Sequence, residues 1–306
     1  SPAWLTSLRG KIAFTEKTLD VQAVARLWGE PMSIQGARGD DGVTRFKATG
    51  RVSAQGMAQA QEYAALTRLA PWLEGSAPVQ VQVEVGQARV QQGKPLAEVL
   101  VQSSLQGMRT LLPEPLNKSA SSVWPLRVAY TMPDAGGAGD GLLIDVGNPS
   151  HTTMTPAALP WVHGRLQWVR RSPTLQSSDV RGVFSVIQPG ATSLTRLPGL
   201  PERGVEAQLL LSRLDLDAWQ AAWSAPVRKA LPELSMARVG TPVAQADAAE
   251  WLPDNVTVQA NQVNWRQRSL HEVRASLAHP QAKVWRLQLE STEAAGLMEW
   301  LPDPAG

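Results

Sequence analysis

The chain has 306 residues, of which 43% are hydrophobic and 18% charged, with a formal net charge of +2. That length allows two ordinary domains or one elongated architecture, and the apolar content excludes disorder by composition. The near balance of charge leaves no Lys/Arg footprint for nucleic acid, and the absence of cysteine excludes disulfides, thiolate metal sites and a cysteine nucleophile.

The chain opens on Ser1, its first residues do not read as a signal peptide, and no apolar run approaches the ~18–20 residues that span a bilayer. The expectation is therefore a soluble section of a longer protein, with any anchor lying outside it. Twelve Trp stand beside three Phe and two Tyr. Trp rings suit apolar–water boundaries and sugar stacking alike.

In chain order, Glu16-Lys17-Thr18 and Gly29-Glu30-Pro31 punctuate a first meander, and Asp41-Gly42 between Met32–Gly39 and Val43–Val52 is a hairpin cue. Met57–Leu73 reads as a helix with Tyr63, Leu66, Ala70 and Leu73 on one face and Gly75 as its C-terminal cap. Val79, Val81, Val83 and Val85 then alternate with polar residues. Leu96–Leu112 reads as strand, because Val99 and Val101 alternate and Leu112-Pro113-Glu114-Pro115 follows. Pro133–Gly141 is a flexible loop, followed by the alternating sets Leu142, Ile144, Val146 and Val205, Ala207, Leu209, Leu211. Asp215 or Asp217 caps a second helix that gathers Trp219, Ala222 and Trp223 and that Pro226 ends or kinks. Trp285, Leu287 and Leu289 alternate near the end.

Period two means strands with one apolar and one wet face. Buried parallel strands would read as continuous apolar runs, so antiparallel meanders are favoured. The turn spacing predicts on the order of 20 strands, or roughly 90 Å of sheet at ~4.8 Å per strand. Gly10-Lys-Ile12-Ala-Phe14, Gly164-Arg-Leu166-Gln-Trp168 and Gly296-Leu-Met298-Glu-Trp300 share one form, read either as coincidence among many strands or as a repeated strand unit.

Chemistry is harder to find. His151, His163, His271 and His279 make no metal-ligand spacing, and no nucleophile-elbow or Ser-x-x-Lys motif occurs. Gly136–Gly141 is glycine-rich but leads into a strand, whereas a phosphate-cradling loop opens a helix. Asp40-Asp41 belongs to a turn and Asp215 with Asp217 to a helix start. Arg170-Arg171 and Arg9-Gly-Lys11 are small basic spots, read as strand ends or as contacts for lipid phosphates.

Ser103–Lys118, reading S-x-L-x-G into L-P-x-P-L-x-K, followed by Trp124-Pro-Leu-Arg-Val128, resembles the YhdP branch of the AsmA-like superfamily. So do the opening Leu5–Trp28 with its L-W-G-E-P turn, Leu214-Asp-Leu-Asp-Ala-Trp219, and the close Ala260–Leu301. Ser119-Ala-Ser-Ser departs from the Pro, Ala or Gly usual there. The resemblance covers nearly the whole chain. It implies a large, inner-membrane-anchored Gram-negative envelope protein that crosses the periplasm, with phospholipid as cargo and no catalytic residues to carry over.

Together these readings set the expectations. The fold is mainly β, one long antiparallel sheet curled into an open trough with a few short helices. Residues 1–306 form one elongated section, with the loop 133–141 a candidate sub-boundary. The chain is a periplasmic, non-enzymatic conduit section that shields phospholipid acyl chains, with no cofactor, metal or nucleic-acid partner, and meets the membrane through parts outside it. The candidate lipid-groove residues are Ile12, Phe14, Val79, Val81, Val83, Val85, Leu142, Ile144, Val146, Leu166, Trp168, Leu209, Leu211, Leu287 and Leu289. Alternatives are a structural or assembly scaffold for outer-membrane biogenesis, and a Trp-based glycan-binding or glycan-cleaving protein.

Overall fold

The computed structural model describes residues 5–16, 18–60, 63–133, 139–147, 161–168, 180–188, 191, 197–223, 253–281 and 284–301. They fall into two units, residues 1–111 with 118–174 and residues 112–117 with 175–306. Both are β-rich, and among the described residues the helices are few and short.

In the first unit, β1 (Leu5–Phe14), β2 (Leu19–Leu27), β3 (Glu30–Arg38) and β4 (Thr44–Ser53) form an antiparallel meander. The turns are written in the sequence. Trp28 and Gly29 take φ of 48° and 85°, as a two-residue hairpin turn between right-twisted strands requires. At Asp41-Gly42 the Asp41 carboxylate accepts the Val43 amide at 3.1 Å, and Gly42 has φ of 73°.

The meander continues through β5 (Leu73–Val85), β6 (Ala97–Ser103), β8 (Leu126–Met132), β9 (Asp140–Val146) and β10 (Val162–Trp168), with the short β7 (Met108–Thr110) paired to the start of β5. The strand order runs from β1 to β10 without closing into a barrel. Leu96–Leu112 is strand as expected, in the form of β6 and β7.

Met57–Leu73 is not one helix. Ser53 caps a short α1 (Ala54–Ala58), and α2 (Ala64–Leu69) gives way to a 3-10 turn at Ala70–Trp72. Pro71 explains the end of α2, since it has no amide to donate and its ring crowds the preceding turn; the earlier interruption between Ala58 and Ala64 lies upstream of its reach. Gly75 is no helix cap either. It lies in β5 at φ of 88°, where a Cβ would overlap the Gly107 carbonyl beside β7. A third short helix, α3 (Gln87–Gln91), follows β5.

In the second unit, β11 (Val180–Ile187), β12 (Gly204–Asp215), β13 (Asn255–Trp265), β14 (Arg268–Gln281), β15 (Val284–Glu290) and β16 (Ala295–Trp300) lie side by side. Here the antiparallel expectation gives way, because β11, β12 and β13 run parallel. Parallel neighbours need long crossovers, and residues 188–203 and 216–254 provide them. The strands carry the matching signature. Val183, Ile187 and Leu210 are buried on the side opposite Leu211, so β11 and β12 are apolar on both faces. From β13 to β16 the pairing is antiparallel again.

Residues 216–223 form helix α4. Asp215 caps it by accepting the Ala218 amide at 2.9 Å, and Asp217 accepts the Arg266 amide at 2.8 Å. The Trp219 indole donates to the Glu114 carbonyl at 3.0 Å. The expected stop at Pro226 lies outside the described residues.

Candidate functional site

Residues directly opposite in a sheet share a face, so the register decides which alternating sets join. In the first unit they join in register from Gly10 onward, past a shift between Thr6 and Arg9 in β1. One row reads Ile12, Val21, Gly36, Phe46, Val83, Val99, Tyr130, Leu142 and Leu166 across nine strands. The row beside it reads Gly10, Ala23, Ile34, Ala48, Val81, Val101, Val128, Ile144 and Gly164. A third gathers Ala25, Met32, Gly50 and Val79, then Leu126, Val146 and Val162. Phe14, Val85 and Trp168 lie on the same face by their strand positions.

All eleven candidates of this unit thus share one face. Most are half-buried; Leu166 is buried, while Ile12 and Phe14 on the outer strand β1 are 64% and 77% exposed. Glycines keep this surface smooth. A Cβ at Gly36 would overlap the Phe46 ring, which lies flat over it, and one at Gly50 would overlap Met32.

One margin of the face is covered. Val52 and Ala77, paired across β4 and β5, pack with Met57, Leu66, Ala70, Leu73, Leu105 and Met108. The helices α1 and α2 and the strand β7 therefore wall off that end of the apolar rows. Near the opposite strand ends Tyr130 stacks on Trp168 at 6.0 Å, and its hydroxyl donates to the buried Asp140 at 2.6 Å.

The other face is wet over β1–β5, where Lys11, Gln22, Gln35, Lys47 and Gln82 form a row that turns apolar only at Leu100, Ala129 and Leu143. At the strand ends the buried Arg89 donates to Glu84, to Glu98 at 2.8 Å and to the Pro95 carbonyl at 2.9 Å, and Arg45 joins Glu84 to Asp41. The Arg45 guanidinium and the Val43 amide bring the Asp41 carboxyl down to about 2.

The four candidates of the second unit also share one face. Val186, Leu209, Val258, Ala275, Leu289 and Gly296 form one row, and Phe184, Ala207, Val256, Leu277, Leu287 and Met298 the next. Leu211 lies two residues on, packed with Ala260 and Val273. Leu214, Val263 and Leu270 join that cluster although they break the alternation. The break falls at one register in β12, β13 and β14, where Glu272 takes φ of 50°, so the strands stay aligned through it.

Most of the apolar rows were not among the sequence candidates. Met32 and Ile34, Phe46 and Ala48, and Val128 and Tyr130 carry the same period-two signal and were findable by it. Leu214, Val263 and Leu270 were not, since no alternation marks them.

Among the described residues no group of three or more His, Cys, Asp or Glu could hold a metal. His163 bonds Asp145 at 2.7 Å and His271 bonds Glu293 at 2.5 Å, each within a cross-strand or loop contact. The His271 backbone amide, ahead of its ring, holds the Glu293 carboxyl below the usual range. His151 and Arg170-Arg171 lie outside the described residues.

Fold and face together define a class: an open β-sheet protein in which each unit aligns apolar rows on one side of its strands, with polar rows behind them over β1–β5. The YhdP family model matches residues 1–306, and the chain belongs to that family. No curated protein and no solved structure matches. Membership suggests a transport-type, non-enzymatic role in the cell envelope. Among the described residues no helix is long and apolar enough to cross a membrane.

Proposed function

We propose that the apolar face carries phospholipid acyl chains, and that the chain is a periplasmic section of a longer, inner-membrane-anchored conduit toward the outer membrane. The observation that carries this reading is the unbroken alignment of apolar rows across β1–β10 while most of their side chains stay only half-buried. A packed sandwich would bury such rows completely. Nine strands at ~4.8 Å spacing give about 38 Å of continuous apolar path.

Each methylene removed from water gains ~0.8 kcal/mol, so a 16-carbon chain gains roughly 12 kcal/mol as an upper bound. A lining uniform along its length keeps that gain nearly level, which lets a chain slide without crossing a wet barrier. Membership of an envelope family supports the same reading.

The test is lipid mass spectrometry on the chain purified from a bacterial envelope, beside Val81→Glu and Ile144→Asp variants that fold by circular dichroism. The expected result is bound phospholipid in the parent chain and several-fold less in both variants. A lipid-free parent chain, or variants that retain full lipid while folded, overturns the proposal. The scaffold alternative predicts that last result.

A further inference from the structure

On its polar side the β1–β10 sheet carries a recess of about 920 Å3, within the size range of small-ligand sites. Along it runs one cross-strand row: Thr49, Gln80, Gln102, Arg127 and Asp145, each directly opposite the next. Strand alternation puts this row on the face opposite Val81 and Ile144. Five strands at ~4.8 Å spacing make it about 19 Å long.

Most of the row is unspent. Among the described residues the side chains of Thr49, Gln80, Gln102 and Arg127 have no hydrogen-bond partner in the protein. Arg127 and Asp145 are register partners yet form no ion pair, and Asp145 bonds His163 at 2.7 Å instead. Apolar surface makes up the larger part of the lining, from residues that include Pro78, Val79, Val123, Pro125 and Leu126.

We propose that this recess binds a neutral, polyhydroxylated chain, an oligosaccharide lying across the strands. The chemistry selects among ligands. One guanidinium and one carboxylate cancel, so the lining offers no net charge to hold a phosphate. An acyl chain laid here would strip water from five polar groups without replacing their hydrogen bonds. A sugar hydroxyl both donates and accepts, and so do the two amides and the Thr49 hydroxyl. The apolar patches can meet the C–H faces of the rings. The row's length suits several rings in line. The polar row lies on the face opposite Val81 and Ile144, while the recess also borders Gly50, Val79 and Leu126 of the apolar rows, so the glutamine variants separate this reading from the lipid reading.

The probe is tri-N-acetylglucosamine, titrated into the full chain and followed by backbone amide NMR. Expected is saturable binding with a Kd of about 1 mM and shifts confined to β4, β5, β6, β8 and β9. Gln80→Ala and Gln102→Ala each weaken binding about fivefold, the loss of roughly one hydrogen bond. Lys11→Ala, far along the same face, leaves it unchanged. The proposal is overturned if no saturable shift develops by about 10 mM probe, if the glutamine variants bind as well as the parent, or if inorganic phosphate binds the same residues more tightly than the sugar.

Discussion

At the scale of single residues, two positions show how the sheet is held and shaped. Arg89 is only 2% exposed and spans the ends of β5 and β6 through Glu84, Glu98 and Pro95. Its carboxylate partners are about a third exposed, so water takes up part of their charge when the arginine is lost. Arg89→Met is therefore expected to cost about 2 kcal/mol, below the range for fully buried pairs, read as a lower urea midpoint at unchanged m-value. Gly36 lies under the Phe46 ring, and any β-carbon there forces the ring off the sheet. Gly36→Ala should cost about 1–3 kcal/mol, and Phe46→Leu in the same chain should recover much of it. Additive losses in that double variant would show that the two side chains do not compete. Asp41 gives the pH dependence. Its carboxyl is depressed to about 2 from an ordinary 3.8, so it contributes stability above 3.8 that disappears as pH falls toward 2. Asp41→Asn should flatten that limb of a urea-midpoint profile and leave the neutral region little changed apart from the lost charge pair with Arg45.

Single elements show where local chemistry and tertiary demand meet. Helix α4 is short, and its start is fixed by Asp215 and by the bond from the Arg266 amide to Asp217. Asp215→Ala should cost about 1 kcal/mol, with extra hydrogen exchange confined to residues 216–223 and the β13–β14 turn. If protection there is unchanged, the cap is not what holds the helix. The L-P-x-P-L-x-K stretch also acquires a physical meaning. Its residues 112–117 belong to the second unit, where the Glu114 carbonyl receives the Trp219 indole. Lys118 returns to the first unit and donates its ammonium to the Met108 and Ser119 carbonyls at 2.8 and 3.0 Å. Burial pushes its pKa down. A lowered lysine means that the unfolded chain holds the proton longer, so this group makes stability rise with pH up to the ordinary 10.5.

For the molecule as a whole, the consequence among the described residues is that the apolar rows of each unit outrun the buried clusters beside them. The clusters around Met57 and around Leu211 are small, and long rows between strands remain half-buried. Such a protein should bind an environment-sensitive apolar dye while folded, and lipid should displace the dye with a rise in thermal midpoint. Dye binding only above the unfolding transition would mean that the face is shut in the native state.

By itself the sequence determined the strands, their apolar sides and their turns. Val79 to Val85, Leu142 to Val146 and Leu287 with Leu289 declare a face because the side-chain period of a strand is two. Asp41-Gly42 declares a hairpin because its backbone must enter the left-handed region. Only the tertiary structure decided which faces join, since alternation orients a residue on its own strand and says nothing of the neighbour's register or direction. For that reason the rows through Phe46, Val101 and Tyr130, the parallel β11–β13, and the polar row from Thr49 to Asp145 stayed hidden. Each depends on residues far apart in the chain meeting one strand spacing apart. Pro71 was visible all along; it ends α2 through its missing amide, a local fact that outweighs a helical pattern at the close of Met57–Leu73.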